Sequence, residues 1–337
     1  MKRRKATRKD VAYAAGVSVT TVTHALSETP GSWVKKSTRE HIKAVATKLG
    51  YTPSFVGKSL ATGQNYLVGL LHPCRKHLSY GFYQEIMIGL TSAMEKDDYN
   101  LVMLFASPEK RYLKPISQHR LDGVIVLQSE PGDEHIREVM STNIPMVVVN
   151  KDIAGSDTSI GCVRSDHYDM MEKVIDDLQS KGCRSMLAVQ DFNACDANVI
   201  MHKAYSEILA RKSMEQPVFG TTMIPDLEHP DRIAAQFRNS FASGQKWDGV
   251  FIDGVETAEI FIETALEFNL QANRDYHLVI ASVKSPPHNF TRSRVEMRCY
   301  VQNPQAMGSH AWEQMKKLIQ GKQLTEKILV PYIAFEP

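Results

Sequence analysis

Apolar positions recur at helical spacing through residues 7–50 and in short bursts from residue 66 onward. Thr7-Arg-Lys-Asp10 has the form of a capping box, with Thr7 as N-cap and an acid at the third helical position. Val11, Ala14 and Ala15 then supply an apolar stripe, and Gly16 offers a left-handed stop. Ser18 can cap a second helix two residues later, with Val19, Val22 and Leu26 on its buried side. Ser37-Thr-Arg-Glu40 reads as a second capping box, opening a third helix with Ile42, Val45, Ala46 and Leu49 inward and Gly50 at its end. Two short helices joined by a tight glycine turn make a helix-turn-helix, and the third helix completes a small shared core.

From Tyr66 the pattern changes. "YLVGLL", "YNLVMLF", "DGVIVL" and "IPMVVVN" are strand-like runs, followed by "SMLAVQ", "PVFGTTMI", "DGVFID" and "HLVIAS". Amphipathic stretches lie between them, at Phe82–Lys96, Tyr168–Ser180, Ala204–Arg211 and Ala258–Phe268. Alternating strand and helix predicts parallel sheets covered on both faces. The runs fall in two sets, with "DGVIVL" and "DGVFID" at corresponding places, which predicts two similar lobes.

Charge separates the same two regions. The 337-residue chain carries a formal charge of only +2, but residues 1–65 hold twelve Lys/Arg against three Asp/Glu, which is +9 and leaves −7 for the rest. A basic head on an acidic body suits a polyanion bound at one end. At 43% hydrophobic and 23% charged the composition is that of a globular protein, and no apolar run approaches the ~18 residues of a membrane helix. The basic start lacks the apolar core of a secretory signal, and Cys74, Cys162, Cys183, Cys195 and Cys299 form no CxxC; both features fit a reducing cytoplasm.

The second helix has the chemistry of a reader. Its exposed face presents Thr20, Thr21, Thr23 and His24, with no carboxylate to repel phosphate. Its N-terminus directs free N–H groups and partial positive charge outward. Threonine can touch phosphate or a thymine methyl, and histidine can donate to guanine in the major groove.

The stretch "RKDVAYAAGVSVTTVTHALSETPGSWVKKSTREHIKAVATKLGYTPSFVGKSLATGQ" resembles the head of the LacI/GalR-type repressors along its whole length, in KDVA, AGVS, TTVTHAL, STRE, LGY-x-P and KSL. The resemblance implies base contacts by Val19, Thr20 and His24 and phosphate contacts by Thr21 and Thr23, with Thr7, Ser18, Tyr51, Ser54 and Lys58 completing the DNA-binding set. It also implies a hinge helix after Pro53, from about Ser54 to Ala61, whose Leu60 wedges into the minor groove at the centre of a near-palindromic operator. Gly57 stands where the family usually has alanine, a penalty of roughly 1 kcal/mol in so short a helix, so the hinge is expected to fold only on DNA beside a dimer partner.

The resemblance continues more loosely in "LDGVIVL", "IPMVVVN", "WDGVFI" and "QNPQAMGSHAWEQM". It implies an all-α helix-turn-helix head on an α/β body of two Rossmann-like lobes, the type I periplasmic-binding-protein fold, with a small molecule in the cleft. The expected domains are 1-52 (helix-turn-helix), 53-65 (hinge helix and linker) and 66-337 (effector binding and dimerisation). Lobe 1 is expected at about 66-163 plus 298-321 and lobe 2 at about 164-297 plus 322-337, with crossings near Arg164, Glu296 and Gly321. Ser107–Arg120 is shorter than usual, so a helix of the first lobe is expected to be trimmed.

The cleft departs from the family. An arginine position is Met201, an aspartate position is Val255 beside Asp253 and Glu256, and "G-[FY]-D" reads Ile280-Ala281-Ser282. Methionine cannot replace a bidentate arginine. The effector is therefore expected to differ from a sugar held in the ordinary way, or its control to be lost. Tyr80, Phe82, Asp191, Phe192 and Asn193 lie at strand-end or loop positions and join Met201, Asp253, Val255 and Ser282 as effector candidates.

Other chemistry finds little support. Asp166-His167-Tyr168-Asp169 has metal-ligand residue types but opens a helix, where acids serve the dipole, and His72, His77 and His135 lack ligand spacing. Trp312 and Met315, on an amphipathic C-terminal helix, read as core. The chain contains no GxGxxG, GxxxxGK[ST] or GxSxG, which argues against an enzyme on a Rossmann-like scaffold. The expected protein is a cytoplasmic, dimeric or tetrameric DNA-binding regulator, most simply a repressor of a transport or catabolic operon, with a small-molecule effector and no metal or cofactor. The alternatives are a soluble small-molecule-binding protein without a DNA role and a regulator that has lost effector control.

Overall fold

The computed structural model describes residues 6–26, 33–52, 55–72, 81–127, 134–151, 159–190, 196–212, 229–244, 246–283 and 297–335. They form two compact units, Met1–Asn65 and Tyr66–Pro337.

The first unit contains α1 (Arg8–Ala15), α2 (Val19–Leu26), α3 (Lys36–Lys48) and α4 (Phe55–Thr62). The Thr7 side chain accepts from Asp10 N–H while the Asp10 carboxylate accepts from Thr7 N–H, so the first capping box forms. Gly16 closes α1 at φ 64°, a left-handed turn that a Cβ would strain. Ser18 Oγ accepts from Thr21 N–H at 3.1 Å, the cap expected for α2. Val11, Ala12, Val22, Ala25, Val34, Ile42 and Ala46 make the core. Three inward expectations are corrected: Val19, Ala14 and Leu49 are exposed, and Ala25 and Ala12 take the inward places on their helices. The second capping box is also corrected. Helix α3 begins at Lys36 after extended Lys35, with no side-chain cap, so Ser37 already lies inside the first turn.

The second unit opens with β1 (Leu67–His72), α5 (Gly81–Glu95), β2 (Asn100–Phe105), α6 (Leu113–Ser117), β3 (Gly123–Leu127), α7 (Glu134–Met140), β4 (Met146–Val149) and β5 (Ile160–Ser165). It continues with α8 (His167–Ser180), β6 (Met186–Val189), α9 (Asp196–Arg211), α10 (Pro230–Ala242), β7 (Gly249–Asp253), α11 (Val255–Glu267), β8 (His277–Ser282) and β9 (Arg298–Val301). The chain ends in α12 (Pro304–Ile319), β10 (Ile328–Val330) and β11 (Ile333–Phe335). One parallel sheet has the order β10-β5-β4-β3-β1-β2; the other, β11-β9-β8-β7-β6, is parallel except for its β11–β9 pair. Strands such as β3 and β4 are buried along their whole length because helices cover both faces. The five-residue α6 is the short helix expected between Ser107 and Arg120.

The repeated Asp-Gly has one structural role in both lobes. Asp122 accepts from Tyr66 N–H at 2.7 Å, and Asp248 accepts from Arg184 and Ser185 N–H at 2.9 and 2.8 Å. Each carboxylate satisfies backbone donors at the start of the neighbouring strand. The glycine after each leaves room for a packed side chain, Met315 at Gly123 and Cys183 at Gly249.

The lobe boundaries need correction. Strand β9 belongs to the second sheet and β10 to the first, so residues 298–301 and 328–330 lie in the lobes opposite to those expected. The chain crosses between sheets after Ser165, after Val301 and after Val330, and not near Glu296 or Gly321. Burial explains the first exchange: Cys299 and Tyr300 fill the cores of the second lobe, whereas α12 packs on α5 in the first. Strands β5, β9, β10 and β11 were not anticipated, and "PVFGTTMI" lies outside the described residues.

Candidate nucleic-acid interface and ligand cleft

On α2, Thr20 is exposed and Thr21, Thr23 and His24 are half-buried. Ser18 Oγ and Thr21 Oγ1 lie 2.8 Å apart, so the cap also orients the Thr21 hydroxyl. Thr23 donates to the Val19 carbonyl at 3.0 Å and accepts from Arg8 Nη1 at 3.3 Å. Arg8 Nε also reaches Tyr51 OH at 3.4 Å. Arg8 thus ties α1, α2 and Tyr51, three residues past the end of α3, together, and sequence reading did not single it out because an isolated arginine in a basic stretch has no pattern. The Thr7 hydroxyl bonds Asp10 at 2.7 Å, which commits it to the cap. The ring of His24 lies 5.5 Å from that of Trp33.

Helix α4 spans the expected hinge, with Gly57 inside it and Leu60 83% exposed. Lys58 is half-buried, and its carbonyl accepts from Thr62. Ser54 lies outside the described residues.

In the body, the cleft is defined by where the chain crosses. The crossings leave the C-terminal ends of β5, β9 and β10 and are hydrogen-bonded there to one another and to the end of β8. Asp166 N–H donates to Val330 O at 2.8 Å, Gln302 N–H donates to Ser282 O at 2.8 Å, and Ser165 Oγ lies 3.4 Å from Gln302 Oε1. His167, buried at the first crossing, meets Tyr332 at the third, with Nδ1 3.0 Å from the phenol oxygen. Both sheets therefore turn their C-terminal strand ends toward one seam, the usual place for a ligand in such folds. Most buried polar side chains of the body gather at this level: His72, Asn150, Lys151, Arg164, Ser165, Gln190 and Ser282. Lys151 Nζ, beyond β4, pairs with the Asp196 carboxylate at the start of α9 and so joins the lobes.

Of the effector candidates, Asp253 and Ser282 end adjacent strands β7 and β8, and half-buried Phe82 begins α5, with its ring on that of Tyr83. Met201 is corrected: it is 1% exposed and packs among Met170, Met171, Val174 and Tyr205, because α9 begins at Asp196 and turns this position into the core. Val255 is corrected in the same way, as it lies with Ile280 and Phe261 in the other core of that lobe. Tyr80, Asp191, Phe192 and Asn193 lie outside the described residues. Lys151, Asp196 and Gln190 were missed, since a lone charge or amide between apolar runs gives no sequence signal. Asp166 caps α8 by accepting from Asp169 N–H, as expected of a helix start. Among the described residues no group of three His, Cys, Asp or Glu is placed to hold a metal. No helix among them is long and apolar enough to cross a membrane.

Comparison with known proteins agrees with this division. Residues 7–54 match the family model described as bacterial regulatory proteins, lacI family. Residues 67–209 match periplasmic binding proteins and sugar binding domain of LacI family. The chain is 35% identical over 149 residues to the probable HTH-type transcriptional repressor ExuR of Bacillus subtilis, a match spanning only 44% of either chain. It is 27% identical over 94% of both chains to the HTH-type transcriptional regulator RegA of Clostridium saccharobutylicum. The fold is that of the lac repressor dimer bound to operator and the anti-inducer ONPF, with a TM-score of 0.74, 18% identity and coverage of 99% and 98%. Carrying a helix-turn-helix head and a two-lobed body that each match a module of one family, the chain belongs to the lacI family of bacterial regulatory proteins.

Proposed function

We propose that this protein is a sequence-specific transcriptional regulator, not an enzyme. It acts as a repressor that binds a near-palindromic operator as a homodimer. The observation that carries the reading is α2: a Ser18-capped helix that presents Thr20, Thr21 and His24 and has no acidic residue, in a segment of charge +9. One such head reads only a few base pairs, so usable specificity needs two, and the operator then mirrors the dimer axis. Leu60 supports a minor-groove wedge: a leucine 83% exposed on an eight-residue helix has no burial to justify it within the monomer.

The body supplies control. A small polar molecule held at the seam by Asp253, Ser282 and neighbouring buried polar groups would favour one lobe arrangement and so bias the spacing of the two heads. With Met201 and Val255 committed to cores, the contacts differ from those of a sugar gripped by arginine and aspartate. The regulated genes are proposed to serve transport or catabolism of that molecule.

The test is selection of bound duplexes from a random library by the full chain at moderate salt. Enrichment of a near-palindrome, with affinity falling steeply as salt rises, supports the reading. Retention without any sequence preference at every salt concentration overturns it.

A further inference from the structure

The head exposes an aromatic side chain that no part of the helix-turn-helix accounts for. Trp33 is 65% exposed, whereas the other two tryptophans of the chain, Trp247 and Trp312, are buried. Its chain neighbour Val34 is buried in the head core, which fixes the backbone at this point and leaves the indole outside that core. The indole meets the imidazole of His24, with centroids 5.5 Å apart and planes inclined by 57°. On its other side the chain continues into exposed Lys35 and Lys36 and the N-terminus of α3, which suits a polyanion nearby. Tryptophan exposed in this way, between a candidate base reader and two lysines, has the chemistry of an interface residue, with an apolar face for sugar or base edges and an N–H donor for phosphate.

We propose that Trp33 is a positioning residue of the DNA-reading surface, holding the His24 imidazole in the orientation that reads its base pair and itself packing on the operator backbone. The inference rests on the DNA-binding reading above. The half-buried His24, in the last turn of a short helix, carries its imidazole on two rotatable side-chain torsions. Contact with a rigid indole removes part of that freedom before DNA arrives, so less ordering is left to the bound state.

The experiment uses the full chain and the duplex obtained by selection, with each base pair of a half-site substituted in turn. His24→Ala identifies the base pair that His24 reads. Trp33→Ala is expected to reduce discrimination at that same base pair about fivefold, with Trp33→Phe retaining most of it. The double variant is expected to discriminate there no worse than His24→Ala alone. Indole emission of the wild type should change on adding duplex, and that response should vanish in Trp33→Phe, because the remaining tryptophans are buried. Weakening that is uniform over all sequences, full additivity with His24→Ala, or unchanged emission would overturn the proposal. Should Trp33→Ala unfold the head, the Trp33→Phe profile and the wild-type emission still decide. A wild type with no sequence preference would instead defeat the proposed function, and that outcome is read before any variant is made.

Discussion

Lys151, just beyond β4 of the first sheet, forms an ion pair with Asp196 in the first turn of α9 on the second. The lysine side chain is only 11% exposed and the aspartate 31%, so neither charge is fully solvated. The pair spans the seam between the lobes. Removing one partner takes this ion pair from a charge that is not fully solvated. A cycle of Lys151→Met, Asp196→Asn and the double variant, followed by chemical denaturation, should give a coupling of about 1–2 kcal/mol. Zero coupling would show that the pair is not maintained in solution.

Helices α5 and α12 approach so closely that backbone meets backbone. A Cβ on Gly89 would fall 2.0 Å from Gln305 O, and one on Gly308 would fall 2.1 Å from Ile86 O. Neither obstacle is a flexible side chain, so the helices must separate and open the core around Trp312 and Leu90. Gly308→Ala should destabilise the body by about 3 kcal/mol, read from its urea midpoint. A loss below 1 kcal/mol would mean that the helices cross at a greater distance than described.

Leu60 offers a third test. Because its side chain is exposed, Leu60→Ala should leave the thermal midpoint unchanged. It should nevertheless weaken operator binding by about tenfold and reduce the DNA bend, measured by energy transfer between duplex ends. Unchanged bending would remove the wedge.

Three of the five thiols should be unreactive in the native protein. Cys162, Cys183 and Cys299 are free and buried. Burial, aided by the Asp248 charge, pushes Cys183 up to about 11, and burial pushes Cys299 up to about 12. Burial shields all three and, in Cys183 and Cys299, also suppresses the reactive thiolate, so they should resist a thiol reagent at pH 8 until the protein unfolds. Five cysteines less these three leaves two, so native protein should titrate no more than two rapidly.

Asp97 predicts an acid dependence. Burial raises its carboxyl, but hydrogen bonds from the Trp312 indole at 2.7 Å and Lys316 at 2.9 Å outweigh that effect and hold it below its ordinary value of 3.8. A carboxyl lowered by folding adds stability that is present above its unfolded value and is lost as pH falls through the folded one. Asp97→Asn should therefore cost about 1 kcal/mol at pH 7, discounted for its partial exposure, and the gap to wild type should narrow below about pH 4. A gap independent of pH would place the loss in packing and not in charge.

Much of the head was legible because its signals are local. A cap such as Thr7 or Ser18 bonds a backbone N–H three residues away, and Gly16 needs only its own φ, so each can be read without knowing the fold. The same holds for "DGVIVL" and "DGVFID", whose buried runs and common Asp-Gly start announced two parallel lobes. Ser37 failed as a cap because helix propensity alone does not fix which residue begins a helix whose entry is set by Val34 in the core.

The sequence by itself determined a basic helical head, an alternating α/β body and the residue types that α2 would display, since charge and periodicity are properties of the chain. Only the tertiary structure decided which lobe received β9 and β10. Short strands near the C-terminus carry the same local pattern whichever sheet they join, and their choice depends on the edge left open to them. It also decided that Met201 and Val255 face cores, and that Lys151 meets Asp196 and Trp33 meets His24. Such meetings join residues that are not neighbours in the sequence, and packing energy is shared among contacts that no local window of sequence contains.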